Sequence, residues 1–387
     1  MKEEFKQTEI GKAILINPKR ELKKGTIAKK VSMDKLNTFT KKVQSFEITN
    51  FKGGSKFVNG DTLLARITPC LENGKTAYVD FLEKKEIGFG STEFIILSGK
   101  DGETINEFVY YLAISPKFRE QAISSMTGTS GRQRVQNDFL AEKEIEIPSI
   151  QEQTAIAKIL SSLDEKIELN NKINKNLEAI GQALFKKWFI DEAKEDWEES
   201  IIGKEVKTIL GGTPSRVKPE YWSGNINWIN SGKVNEFRIT APSEKITEEG
   251  LRKSATSLLP KGTVVLAITG ATLGQVSRLE IDSCANQSVI GVLENENFSS
   301  EYLYYLIKNN IGEIIGFQTG GAQQHINKGN VDNFRFIVPD KKTLQDFNNQ
   351  VKPIFKQISV NCFENKNLSQ IRDSLLPKLM SGEIRVK

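Results

Sequence analysis

Pro148-Ser149-Ile150-Gln151-Glu152-Gln153-Thr154-Ala155-Ile156-Ala157-Lys158-Ile159-Leu160 opens a long periodic segment, in which Ile156 and Leu160 are followed by Leu163, Ile167, Ile173, Leu177, Ile180, Leu184 and Trp188. Steps alternating between three and four residues make the stripe of a coiled coil. Ser149 stands at the N-cap position with Glu152 three residues on, the pattern of a capping box. From Ser149 to Trp188 such a helix spans roughly 60 Å at 1.5 Å per residue. That is too long and too narrowly striped for a helix inside one globular core. The stripe breaks at Asn170. A buried polar residue there would fix helix register; a drift of the stripe would instead turn Asn170 to solvent, and the sequence leaves both readings open.

The same plan occurs twice. Pro148 and Pro339 lie 191 positions apart, each after a β-branched residue (Ile147, Val338). The offset carries Gln133 onto Gln324, Val135 onto Ile326, Asn170 onto Asn361, Leu177 onto Leu368, Leu184 onto Leu375 and Lys187 onto Lys378. Upstream, Gly60-Asp61-Thr62-Leu63-Leu64-Ala65 resembles Gly262-Thr263-Val264-Val265-Leu266-Ala267, and Phe108-Val109-Tyr110-Tyr111-Leu112 resembles Tyr302-Leu303-Tyr304-Tyr305-Leu306. The drifting offset there implies loops of unequal length on a shared core. The second helix begins after Asp340 as its cap and runs through Leu344, Phe347, Val351, Ile354 and Ile358 to Leu379, with Pro353 expected to kink or split it and Pro377 to disturb its last turn.

Between the helices, short β-rich runs at Phe94-Ile95-Ile96-Leu97, Val264-Val265-Leu266-Ala267-Ile268 and Ser288-Val289-Ile290 are bounded by turn formers. Phe334-Arg335-Phe336-Ile337-Val338 alternates as a half-buried strand does, and the Tyr-Tyr-Leu segments read as short helices. The expected fold class is α+β: two mixed domains alternating with two long helices that pair as an antiparallel coiled coil. The expected boundaries are 1–148 and 191–339 for the domains, and 149–190 and 340–387 for the helices.

Composition sets limits. A chain of 387 residues exceeds one ordinary domain of ~100–200 residues, and a net charge of +5 permits an anionic partner. Three scattered cysteines (Cys70, Cys284, Cys362) give neither a disulfide framework nor a CxxC metal pair. No signal-peptide core and no membrane-length apolar run occur, so a reducing cytoplasm is the expected location.

Two related heads on a rigid rod suit a ligand with two sites at a fixed distance. Duplex DNA presents half-sites on one face every ~34–36 Å. The halves are alike but not identical, which predicts a non-palindromic target. The segment Thr127-Gly128-Thr129-Ser130-Gly131-Arg132-Gln133-Arg134 and its counterpart Thr319-Gly320-Gly321-Ala322-Gln323-Gln324-His325-Ile326-Asn327-Lys328 place small residues beside Arg, Gln and Asn. Such side chains read purine edges, while Lys and backbone amides suit phosphate. Either loop alone reads equally as a polar hairpin. A basic run, Lys19, Arg20, Lys23 and Lys24, would serve phosphates or form a solvated face.

The chain also resembles a known family, the DNA specificity subunits of type I restriction–modification systems. The residues carrying the likeness are Gly211-Gly212-Thr213-Pro214-Ser215, Pro219-Glu220-Tyr221-Trp222, Ile229-Asn230-Ser231-Gly232 and the ending Leu375-Leu376-Pro377-Lys378-Leu379-Met380-Ser381-Gly382-Glu383-Ile384. In the first half they are Asn17-Pro18-Lys19, Val31-Ser32-Met33-Asp34-Lys35-Leu36 and Pro148-Ser149-Ile150-Gln151-Glu152-Gln153. The first domain lacks the Gly-Gly-Thr-Pro-Ser opening. The resemblance implies two target-recognition domains, helices that set half-site spacing, two methyltransferase subunits docked on the helices, and restriction (endonuclease) subunits in the full complex. No cofactor is expected on this chain, with S-adenosylmethionine held by the methyltransferase partners.

On this reading the DNA-contact candidates are Lys19, Arg20, Arg66, Ser91, Thr92, Arg132, Gln133 and Arg134 in the first domain. In the second they are Thr213, Ser215, Lys218, Ser231, Gln287, Gln323, Gln324, His325 and Lys328. Helix pairing or partner docking falls to Leu163, Ile167, Asn170, Leu177, Leu184, Ile358, Asn361, Leu368 and Leu375.

Catalysis by the chain itself is not expected. No Asn- or Asp-Pro-Pro-aromatic loop exists to hold a target base, and no P-loop is present. Gly88-Phe89-Gly90 lacks the βα context of a nucleotide loop. His325 is the only histidine, which rules out a two-histidine zinc site; it reads as a polar loop residue. Trp188 and Phe189 fit a partner contact or ordinary packing equally. The competing readings are a single-chain DNA-modifying enzyme and a two-headed protein scaffold.

Overall fold

The computed structural model describes residues 5–129, 131–316 and 325–386. The chain forms two compact units: Met1–Glu168 together with Asn367–Lys387, and Leu169–Lys366. Each unit is α+β, and each holds part of both long helices.

In the first unit, strands Ile14–Ile16, Phe94–Gly99, Thr62–Ala65 and Thr76–Tyr78 form an antiparallel sheet in that order. A second sheet orders Glu47–Asn50, Ile27–Val31, Gly88–Gly90 and Ser55–Phe57, with its middle pair parallel. Lys6–Glu9 pairs with Glu144–Ile147 and brings the domain's two ends together. The unbroken apolar run at Phe94–Leu97 has a structural cause. Ile95 and Leu97 join Leu64 in a core with Tyr110 and Tyr111, while Phe94 and Ile96 join Leu63 in another with Val31 and Phe57. A sheet buried on both faces has no polar side to alternate with.

The second unit repeats this. Thr208–Leu210, Val289–Val292, Val264–Ala267 and Val276–Arg278 form the antiparallel sheet, and Glu244–Ile246, Trp222–Ile229 and Cys284–Ala285 the other, again with one parallel pair. Glu198–Ile201 pairs with Arg335–Val338. Among the described residues the second copy has no counterpart of Ser55–Phe57. The Tyr-Tyr-Leu segments are helical, Asn106–Ile114 and Ser300–Asn309.

The first long helix covers Ile150–Lys186 and passes into a π turn at Lys187–Asp191. The Ser149 hydroxyl accepts from the Glu152 amide at 3.4 Å, but the Glu152 carboxylate does not complete the capping box. It binds the Arg385 guanidinium at 2.7 and 2.6 Å instead. The second helix, Lys341–Met380, starts at Asp340, whose carboxylate accepts from the Thr343 amide and hydroxyl at 3.0 and 2.9 Å. Lys194 hydrogen-bonds the same carboxylate at 2.6 Å and holds it well below the usual carboxylate range. Pro353 does not split this helix, contrary to expectation. It is exposed, and Val351 and Phe355 on either side are buried, so packing holds the backbone helical across the missing hydrogen bond.

The helices run antiparallel. In the first unit Glu152 meets Arg385, Asp164 meets Arg372, and Ile156 and Leu160 share a core with Leu376 and Leu379. In the second, Phe185 packs against Phe347 and Asn174 bonds Asn361.

Candidate nucleic-acid interface

The first domain gathers its candidates at the ends of its central strands. Asn17 follows strand Ile14–Ile16 at a φ of 49°, a left-handed conformation that asparagine tolerates better than most residues. Its backbone amide donates to the Ile96 carbonyl at 2.7 Å and its side-chain oxygen accepts from the Ile96 amide at 2.9 Å. This pins Pro18 and Lys19 beside a groove of about 580 Å³, also lined by Arg20, Lys56, Arg66 and Thr92. Lys19 and Thr92 are exposed. Arg20 is engaged within the domain: its guanidinium lies 2.6 Å from Asp61, whose side chain is 2% exposed. Arg66 donates to the Val135 carbonyl at 2.7 Å, which ties the groove to the hairpin Met126–Thr127/Arg134–Val135. Arg134 is clasped by Glu93, and Ser91 accepts from the Glu93 amide at 3.1 Å. Arg132 is exposed on the loop, and Gln133 uses its carbonyl to accept from the Thr68 amide at 3.0 Å. Ser130 lies outside the described residues.

In the second domain the Gly211-Gly212 pair packs behind the turn Asn286-Gln287-Ser288. The Gly211 amide donates to the Val289 carbonyl and the Gly212 amide to the Ala285 carbonyl, at 3.0 and 2.8 Å. A Cβ on Gly211 would sit 2.2 Å from the Asn286 carbonyl oxygen and 2.4 Å from that of Ala285. Both atoms are backbone and cannot swing away. Gly211→Ala is therefore expected to cost about 1–3 kcal/mol as overpacking and to displace the Gln287 turn. Thermal unfolding together with mapping of DNA preference checks this, with loss confined to the half-site read by this domain.

Beyond the glycines, the Thr213 hydroxyl donates to Gln287, and the Ser215 carbonyl accepts from the Trp222 indole at 3.2 Å. Between them and Lys218, Arg216 stacks 3.6 Å over Trp222 and binds Glu244 through both terminal nitrogens at 2.7 Å. Lys218 donates to the Tyr221 hydroxyl at 3.1 Å. Ser231 begins a short 3-10 turn capped by Asn230. His325 is exposed and forms an isolated bridge with Thr269, while Lys328 pairs with Asp332 at 2.5 Å. Gln323 and Gln324 lie outside the described residues.

The two sites are built on equivalent positions with different chemistry. Ala65 pairs with Phe94 as Ala267 pairs with Val289. Two residues on, Ile67 and Thr269 bridge to Arg134 and His325, which the repeat offset equates. The Val135 and Ile326 amides donate to the Arg66 and Ile268 carbonyls in the same way. Glu93 then corresponds to Ser288, and Ser91-Thr92 to Asn286-Gln287. Sequence reasoning missed Lys56, Glu93, Arg216 and Trp222. Of these, only Trp222 and its neighbour Arg216 had a signal, the Pro-Glu-Tyr-Trp motif.

The model of the family described as the type I restriction modification DNA specificity domain matches residues 2–179 and again residues 194–369. The chain belongs to this family. It is 26% identical over 421 residues to the type I restriction enzyme HindI specificity subunit of Haemophilus influenzae, across 87% of this chain and 90% of that one. It is 27% identical over 309 residues to the MjaIX specificity subunit of Methanocaldococcus jannaschii, across 74% and 71%. The crystal structure of the S subunit of a type I restriction-modification system from M. genitalium shares its fold, with a TM-score of 0.59 and 18% identity over 97% and 96% of the two chains.

In this member of the specificity family the helix seam is more polar than the apolar stripe suggested. Asn170 and Asn361 are buried, 1% and 4% exposed, which excludes the solvent-facing reading. Asn361 donates to Asn174 at 2.8 Å, and Asn170 to Asn365 at 2.9 Å. The repeat offset converts one contact into the other. Ile358 is buried; Leu163, Ile167, Leu177, Leu184, Leu368 and Leu375 are half-buried, with Leu184 and Leu375 packed against the cores of their units. Ile180, expected within the stripe, and its repeat-related partner Ile371 are half exposed. Trp188 and Phe189 are explained by packing, with Phe189 4.9 Å from both Tyr302 and Phe347. Among the described residues no group of His, Cys, Asp and Glu could hold a metal, and no helix is long and apolar enough to cross a membrane.

Proposed function

We propose that the chain reads a bipartite, asymmetric duplex DNA site, one half with each domain, and carries partner methyltransferase subunits to it without catalysing any step. The observation that carries this reading is the duplicated strand scaffold bearing unlike residues: Arg66, Glu93 and Arg134 in one copy stand where Ile268, Ser288 and His325 stand in the other. One scaffold used twice positions both heads alike, and unlike side chains make the two half-sites differ. Lys19 and Lys56 in the first domain's groove suit phosphate, which gives salt-dependent affinity. Leu169, Ile180 and Val360, about half exposed on the long helices, offer apolar surface to the methyltransferase subunits. Those subunits hold the methyl donor S-adenosylmethionine, and restriction subunits join them in the cytoplasm.

The test is methylation mapping. Expressed with its methyltransferase partner in a methylation-free host, the chain should produce a split, non-palindromic motif. Exchange of residues 1–148 for those of a relative should change one half of that motif and leave the other intact. An unsplit motif, or one that changes throughout, would overturn the reading.

A further inference from the structure

From the way Glu93 grips Arg134, we infer that Glu93 is a positioning residue for base reading and that the half-site of the first domain contains a guanine read by Arg134. The inference rests on the two-headed reading above and adds a base and a residue to it.

Arg134 is held from several directions. Its backbone lies in the hairpin with Thr127, bridges to Ile67, and has its carbonyl accepting from the Gln136 side chain at 3.2 Å. Its guanidinium gives Nε–H to the Glu93 carboxylate at 3.0 Å and one Nη2–H to the same group at 2.8 Å. One Nη1–H goes to the Arg132 carbonyl at 3.3 Å, a carbonyl itself placed by the turn in which the Arg132 amide donates to Thr129. A guanidinium has five N–H donors in a planar fork. The two left over are one on each terminal nitrogen, side by side on the edge opposite the chain. The side chain is 42% exposed.

Two parallel N–H donors match the O6 and N7 acceptors of guanine in the major groove. Adenine puts an amino donor where O6 would be, so the same edge repels it. A free arginine samples many rotamers and slides readily to phosphate; one locked by a carboxylate has already lost that freedom. Glu93 also places negative charge beside the fork, which disfavours docking of that edge on a passing phosphate. In the second domain Ser288 and His325 occupy these two positions, so this guanine contact belongs to one half-site only.

The experiment uses the complex with its methyltransferase subunits and a set of duplexes substituted singly through the half-site assigned to residues 1–148. The variants are Glu93→Gln, Glu93→Ala and Arg134→Lys. The expected result is a guanine in that half-site at which each variant loses roughly tenfold in discrimination against adenine. Preferences at other positions and throughout the second half-site should stay as they were. A split motif whose first half has no guanine sensitive to Arg134→Lys would overturn the inference and leave the two-headed reading standing. So would an equal loss across all positions with a lowered melting temperature, since that marks Glu93 as merely structural. A motif that is not split would instead remove the two-headed reading itself.

Discussion

Glu178→Ala is expected to lower the stability of the chain by about 3–5 kcal/mol, the range for leaving a buried charge without its partner. Glu178 sits on the first long helix with its side chain 14% exposed, and the Arg238 side chain it binds at 3.1 Å is fully buried. Lys308 at 2.6 Å and the Tyr304 hydroxyl at 2.9 Å converge on the same carboxylate. With Glu178 gone, the nearest carboxylate to Arg238 is Glu280 at 3.9 Å. Burial pushes the Glu178 carboxyl upward, but Arg238 and Lys308 outweigh it and hold it below its ordinary value. A carboxylate depressed in the folded state adds stability above its unfolded pKa of about 4.3, and that stability fades as pH falls further. Urea unfolding at neutral pH and again near pH 3 checks both parts: the gap between wild type and Glu178→Ala should narrow in acid. A neutral-pH loss under about 1 kcal/mol would show the network to be dispensable.

Asp164→Ala should cost about 3 kcal/mol, at the lower end of the same range. Asp164 and Arg372 are each 6% exposed and meet at 2.7 Å, and the buried Tyr111 donates its hydroxyl to Asp164 at 2.7 Å. The loss is smaller because Arg372 keeps Asp373 at 2.8 Å and the Phe39 carbonyl at 3.4 Å. Asp164→Asn, which keeps one oxygen to accept from Arg372 and turns an amide donor toward the Tyr111 hydroxyl oxygen, should cost clearly less. Thermal unfolding of the two variants separates lost charge from lost hydrogen bonding; equal losses would contradict this account. Tyr111 and Tyr305 are the repeat-related tyrosines of the Tyr-Tyr-Leu segments, yet their domains grip the helices by different means. Domain 1 uses the Tyr111 hydroxyl on Asp164 and the Phe39 carbonyl on Arg372, and domain 2 uses Arg238 on Glu178.

Much of the fold was legible because it is written in local patterns. The repeat offset, the cap at Asp340 and the apolar runs at Phe94–Leu97 and Val264–Ala267 depend on neighbours in sequence, and the strands and helices formed where those signals lay. The seam was misplaced sideways for a physical reason. A period count follows apolar residues, whereas Asp164, Asn170, Asn174, Asn361 and Arg372 are buried because they satisfy one another across the two helices. Pro353 was misjudged because its cost is local and the packing of Val351 and Phe355 that overrides it is not. The candidate site was legible as loops and motifs but not as partnerships. Arg134 and Glu93 lie 41 residues apart, as do Arg20 and Asp61, and no spacing rule joins such pairs. Arg20 illustrates the result: it reads as part of a basic run, and folding commits it to Asp61.

The asparagine ladder limits how the two helices can move. Sliding one past the other by a turn, roughly 5.4 Å, would bring Asn361 or Asn365 up against Leu177 or Ile167. A buried amide stripped of its partner costs about 1–3 kcal/mol, and a slide in either direction strands at least one. The ladder is a detent: within the second unit the paired helices have one favoured register, and a one-turn slip is held to a minor population.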